Sequence, residues 1–284
     1  MKVKEIELSV IMSVYNSEKP EYLDTALSSV WSQQKLKPDE IILIEDGPLN
    51  ESLCGVIDAW QQLIGDKLVI IKNETNLGLT KSLNKGISKA RGRFVVRMDS
   101  DDISHPDRLH KQYAYMLANP DIDVLGGSIQ EFNSTNECLN IRKYPKTHAD
   151  VLRYLHKASP LAHPATMIRK SIFDSGLRYN ENYRTSQDLA LWFDVIYNGG
   201  KIANLDDVVL YFRREESIYK RRGRNKALNE FKIYVNGVRK IYGIASLKYC
   251  YPFARLIFRL MPTSFIRWIY SSRCRNFIIK ARES

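Results

Sequence analysis

Within its first 118 residues the chain alternates four times between a short apolar, β-prone run and a longer stretch with helical apolar spacing. The runs are 6–14, 39–47, 67–73 and 93–99. Between and after them, Leu23, Ala26, Leu27, Val30 and Trp31 mark a helix over 20–34, and Leu53, Val56, Ile57, Trp60 and Leu63 one over 51–64. Leu79, Leu83, Ile87 and Ala90 give a third over 79–90, and Pro106 opens a fourth through Leu109, Tyr113, Met116 and Leu117. Strands and helices alternating at this spacing build βαβ units, which predicts an α/β fold with a mostly parallel central sheet covered on both faces.

The second half is less regular. A strand with a Gly-Gly break is expected over 122–132, and a strand running into a turn or helix over 163–173. A helix over 185–200 carries Leu189, Trp192, Phe193 and Ile196 on one face and ends at Gly199-Gly200. A further strand is expected over 208–214. No internal repeat or low-complexity segment interrupts the chain.

Open α/β sheets bind ligands outside the carboxyl ends of their strands. Three polar clusters fall there: Tyr15-Asn16, Glu45-Asp46 and Asp99–Asp102. The last, in "RMDSDD", crowds three aspartates into four positions. A helix cap needs one carboxylate at most. A D-x-D at a strand end instead offers carboxylates to one hard divalent cation, Mn²⁺ or Mg²⁺, which takes oxygen ligands and shares them with substrate phosphates.

The segments "SVIMSVYN", "EIILIEDG", "NETNLGLTKSLNKGISKARGRFVVRMDSDD" and "SQDLALW" follow one another in this order. Over about residues 6–215 they resemble family 2 glycosyltransferases of GT-A fold, particularly those that assemble bacterial O-antigen, capsule and exopolysaccharide. The resemblance implies an inverting transferase with a nucleotide-sugar donor, UDP-linked for preference, and a divalent metal. It implies that Tyr15 contacts the nucleotide and that Asp46 accepts a hydrogen bond from the base. Asn76 and Gly78 fall where the family's loop passes the donor, although Gly78 and Lys81 also read as an ordinary helix start. Arg97 and Asp99 are expected at the donor, with Asp99, Asp101 and Asp102 at the metal. Asp188 matches the catalytic base; its segment "TSQD" also resembles a capping box. The family has an acid where this chain has Gln187, which bears on the acceptor site. His163, in "HPATM", falls where relatives carry a similar stretch beside the acceptor cleft, although a lone His before Pro also reads as structural. His105 and His110 receive no role, and Trp192 is expected in the core.

Charge divides the chain unevenly. Residues 219–284 hold 16 Lys and Arg against Glu230 and Glu283, which leaves the first 218 residues slightly acidic within a net charge of +11. The expected organisation is a transferase body over 1–218, with a nucleotide-sugar half at 1–103 and an acceptor half at 104–218, followed by a basic amphipathic helical tail at 219–284. Arg255, Arg259, Arg267, Arg273 and Arg275 interrupt apolar, aromatic runs in that tail, a composition suited to an anionic membrane surface. An acidic body argues against nucleic acid as a partner. The four cysteines form no CxxC pair, which suits a reducing compartment. The apolar stretch near the N-terminus reads as a strand and not a signal peptide, and no run is long enough to span a bilayer. The expected location is therefore cytoplasmic, peripheral to the inner face of the membrane, with a lipid-linked saccharide as acceptor. A sugar nucleotidyltransferase and a non-catalytic membrane scaffold of transferase descent are the alternatives. The first should carry a Gly-rich, basic phosphate loop after its first strand, and "SVIMSVYNSEK" has none.

Overall fold

A computed structural model describes residues 6–133, 137–214 and 224–260. β1 (Leu8–Val14), β2 (Glu40–Glu45), β3 (Leu68–Lys72) and β4 (Phe94–Asp99) pair in parallel in the order β3-β2-β1-β4. α1 (Pro20–Val30), α2 (Glu51–Ile64) and α3 (Leu79–Lys89) connect them. Strand order reverses between β1 and β4, which opens a crevice at their carboxyl ends.

Side-chain alternation explains the layering. Val10, Met12, Ile41 and Leu43 face α1, α2 and α4 (Arg108–Ala118), while Ile11, Ile42 and Ile44 face α3. The Trp60 indole of α2 donates to Asp24 of α1 at 2.7 Å, fastening the two helices on the first face.

Beyond β4 the sheet becomes mixed. A two-residue strand, β5 (Ile103–Ser104), pairs antiparallel with β9 (Ile202–Arg213), and β6 (Val124–Phe132) runs parallel to β9. β7 (Cys138–Arg142) and β8 (Met167–Arg169) each pair antiparallel with β6, and β8 also joins β4. The parallel arrangement thus holds for β1–β4 and for β6 with β9. The Gly-Gly segment does not break β6. A register shift against β9 begins at Gly127, and a Cβ on Gly126 would lie 2.5 Å from the Leu161 side chain.

α5 (His148–Tyr154), α6 (Lys170–Asp174) and α7 (Gln187–Tyr197) cover the second face, where Trp192 is fully buried. α8 (Arg224–Tyr242) lies on α7: Ile233, Tyr234 and Val238 are buried, and the rings of Tyr234 and Phe193 meet edge to face at 6.0 Å. α9 (Cys250–Leu260) packs on α8 through Arg255 and Arg259, both paired with Glu230. Residues 224–260 of the basic segment therefore pack on the body; 219–223 and 261–284, with Arg267, Arg273 and Arg275, lie outside the described residues. No helix among the described residues is long and apolar enough to cross a membrane.

Candidate active site

The three polar clusters converge at the carboxyl edge of the sheet. Tyr15 follows β1 directly and is half exposed. Asp46 follows β2, its amide donating to the Val14 carbonyl at 2.8 Å. Its carboxylate is almost fully buried and organises the loop before α3. Oδ1 accepts from the Leu77 amide at 2.8 Å and the Asn73 side chain at 3.1 Å, and Oδ2 from the Gly78 amide at 3.0 Å. Three of the four acceptor positions are thus engaged by the protein, which leaves one on Oδ2. Asn76 donates back to the Asp46 carbonyl at 3.2 Å. The loop comes so close that a Cβ on Gly47, which has φ +93°, would lie 2.7 Å from the Asn76 nitrogen. Only glycine fits there.

At the end of β4, Asp99, Asp101 and Asp102 bring carboxylate oxygens within 4.8 Å of one another. Asp102 is buried; its Oδ1 accepts from the Arg213 amide at 2.9 Å, and its Oδ2 has no hydrogen-bond partner. Burial and the neighbouring Asp99 and Asp101 push its pKa well up. Burial, then Asp99 and Glu18, raise Asp101 to about 7. Three carboxylates so close cannot all ionise unaided. A divalent cation would relieve the repulsion and supply a partner for the orphaned oxygen, so this donor set fits the metal expected from the sequence.

Arg97 lies behind the cluster, buried in β4, and pairs with Asp99. Its Nε and Nη1 are buried without a hydrogen-bond partner. Arg108, fully buried beneath, donates from Nη2 to the Arg97 carbonyl at 2.8 Å and braces the strand.

Asp188 stands in the first turn of α7, half-buried. Burial raises its pKa, opposed by the Leu189 amide and by the charge of Arg97. It lines a cleft of about 360 Å³ with Arg142, Lys143, Tyr154, Ser186 and Arg255. No capping box forms at this helix start. Ser186 occupies the left-handed region at φ 61° and its side chain makes no cap bond. Gln187 is buried with Oε1 unpartnered, and so is the Thr185 hydroxyl oxygen. The strained residue thus stands two positions before a carboxylate that faces a cleft, the kind of place where backbone strain clusters at functional sites.

His163 is buried. Its Nε2 lies 2.7 Å from the Tyr179 hydroxyl and its ring meets Trp192 edge to face. Burial, then Arg97, hold its pKa well below the usual imidazole range. It belongs to the core, not to the cleft wall. Tyr179 links the two sides: burial raises its hydroxyl pKa, and Arg97, Asp188 and Asp99 all act on it.

Four contributors were not anticipated from the sequence. Glu18 accepts from the Ser100 hydroxyl at 2.7 Å and adds a fourth carboxylate beside the cluster. Its only signal was its position three residues after Tyr15. Asn73 ties Asp46 to Ser82 of α3 and to Lys85 at 2.7 Å. Tyr179 and Arg213 had no local signal. Arg213 donates from Nε to the Asp101 carbonyl at 2.8 Å, its guanidinium held between the rings of Tyr22 (3.8 Å) and Phe132 (4.5 Å).

This sheet order, with Tyr15-Asn16 after β1 and acids at the ends of β2 and β4, defines a GT-A glycosyltransferase fold. TarS from S. aureus in its complex with UDP shares it at a TM-score of 0.63 and 20% identity, over 95% of this chain and 74% of that one. The mannosyltransferase PcManGT from Pyrobaculum calidifontis, in complex with GDP-Man and Mn²⁺, matches at a TM-score of 0.60 and 14% identity, over 98% and 80%. Residues 9–177 match the family described as Glycosyl transferase family 2, and the chain belongs to it. The amylovoran biosynthesis glycosyltransferase AmsE of Erwinia amylovora is 34% identical over 92% of this chain and 97% of its own length. The UDP-Gal:alpha-D-GlcNAc-diphosphoundecaprenol beta-1,3-galactosyltransferase of Escherichia coli is 31% identical over 96% and 98%.

Proposed function

We propose that the chain is a metal-dependent, inverting glycosyltransferase. It moves a sugar from a UDP-sugar to a saccharide carried on a lipid diphosphate, in the assembly of a bacterial surface polysaccharide. Residues 1–103 would supply the donor side and 104–218 the acceptor side, at the inner face of the membrane. The observation that carries this reading is electrostatic. An acidic triad at the end of β4 and a separate carboxylate at the start of α7 both lie in the field of one buried arginine, Arg97. The named activities of the amylovoran and diphosphoundecaprenol relatives support the substrate classes.

In this reading Tyr15 lies against the nucleotide, and Asp46 offers its remaining Oδ2 position to a base N–H while holding Asn76 and Gly78 at the donor. Asp99, Asp101 and Asp102 would hold Mn²⁺ or Mg²⁺, which when bound would supply positive charge to neutralise the leaving diphosphate. Arg97 turns its unpartnered Nε and Nη1 to donor oxygens. Asp188, made more basic by burial, takes the proton of the acceptor hydroxyl as that oxygen attacks the anomeric carbon and the bond to the diphosphate breaks. Gln187 and His163 set the start and the underside of α7 and reach the acceptor only indirectly.

The test is a donor screen: protein, Mn²⁺ and a panel of UDP-, GDP- and dTDP-sugars, scored for binding and slow hydrolysis. Metal-dependent binding and hydrolysis of a UDP-sugar is the expected result. Binding without hydrolysis or transfer would favour the non-catalytic scaffold, and release of pyrophosphate from UTP and a sugar phosphate would favour a nucleotidyltransferase.

A further inference from the structure

α9 is amphipathic, yet most of its apolar side faces away from the protein, although Pro252 is buried and the Phe253 ring meets Phe231 of α8 edge to face at 4.9 Å. Tyr251, Phe253, Ala254, Ile257, Phe258 and Leu260 are exposed, while Arg255 and Arg259 converge on Glu230 of α8. The turn before it adds two more bare side chains, Ile244 at 79% and Leu247 at 87% exposure. A contiguous apolar strip of this kind marks an interaction surface.

Charge and continuity with the cleft identify what covers it. From Gly243 to Leu260 the chain has Lys248, Arg255 and Arg259 and no acidic residue. At the start of α9, His156 meets the Tyr251 ring, and its imidazole is held near pKa 4 by burial and by the adjacent Lys248 and Lys157. Lys157 and Lys248 thus border the strip with positive charge, and behind it Arg255 and Arg259 share one carboxylate, Glu230, which leaves a net positive charge there too. A second copy of the chain would bring like charges together, whereas an anionic lipid surface accepts both the apolar strip and its basic border. The same short helix also sends Arg255 into the wall of the Asp188 cleft.

We propose that the outward face of α9, with Ile244 and Leu247, seats in the interfacial layer of an anionic bilayer, so that a lipid-carried acceptor enters the Asp188 cleft past Arg255. The route of entry rests on the acceptor reading above; the surface does not.

The test is co-sedimentation of the full chain with phosphatidylglycerol–phosphatidylcholine vesicles. The parent binds. Leu247→Ser with Ile257→Ser, at exposed positions that leave the core untouched, binds roughly tenfold to a hundredfold more weakly. Its residual binding disappears in high salt. Donor hydrolysis and turnover of a short-chain, water-soluble acceptor stay equal in both proteins, while turnover of vesicle-borne acceptor falls in the variant. A parent that ignores these vesicles, or a variant that binds them as the parent does, overturns the proposal. A parent dimer that the variant loses also overturns it, because the strip would then join two copies. If neither protein hydrolyses any donor yet vesicle binding behaves as described, the surface stands and the transferase reading fails.

Discussion

In the proposed site, Asp101 is the residue on which metal, charge and pH would meet. Asp101→Asn should weaken UDP-sugar binding in Mn²⁺ by about tenfold to a hundredfold, the scale on which even indirect partners of a metal ligand act. In EDTA the substitution should change little, and calorimetric titration with and without metal checks this. The raised carboxyl gives a second prediction. Its folded pKa of about 7 lies above the ordinary 3.8 of the unfolded chain. Between those values the folded protein binds more protons, so this group's contribution to stability falls as pH rises through the window. A cation that displaces the proton reverses the penalty. The gain in Tm from Mn²⁺ should therefore be larger at pH 8 than at pH 5.5; equal gains would remove the acidic triad as the binding site.

At the scale of elements, short segments far apart in sequence place the charged groups. α7 starts from Ser186 in the left-handed region, where a β-branched side chain is strained. Ser186→Val should cost about 1–2 kcal/mol in denaturant unfolding and Ser186→Gly should not. Equal losses would mean that the turn is not held in that conformation. β9 ends on Arg213, which fixes the Asp101–Asp102 turn from the other side of the fold. Arg213→Lys keeps the charge but loses the planar stack between Tyr22 and Phe132 and the Nε–H bond to the Asp101 carbonyl. Donor affinity in Mn²⁺ should fall several-fold while metal-free affinity stays constant. A uniform loss in both conditions would point to general loosening instead.

Across the whole molecule, legibility followed locality. β1–β4 and their helices were readable because each buries a face through its own periodic side chains, as with Val10 and Met12 against Ile11. The Asp99–Asp102 cluster was readable because its members are sequence neighbours. β5, β7 and β8 are short, and neighbouring strands define them more than their own residues do. Arg213 and Tyr179 reach the site only through tertiary contact, and no spacing foretold them; Glu18 had only its nearness to Tyr15. Asp46 follows β2 with a heavier structural duty than expected, since two loop amides and the Asn73 side chain take three of its four acceptor positions. The inverted exposure of α9 was hidden because a helical pattern gives a face but not its direction. The proposed mechanism divides the labour between a donor site at β4 and a base at α7, and one substitution separates them. Asp188→Asn keeps shape and leaves the triad intact, so UDP-sugar affinity in Mn²⁺ should match the parent. Single-turnover transfer to a saccharide acceptor should slow by about 10²-fold or more. A variant that transfers at the parental rate per folded molecule would contradict the assignment and move the base elsewhere.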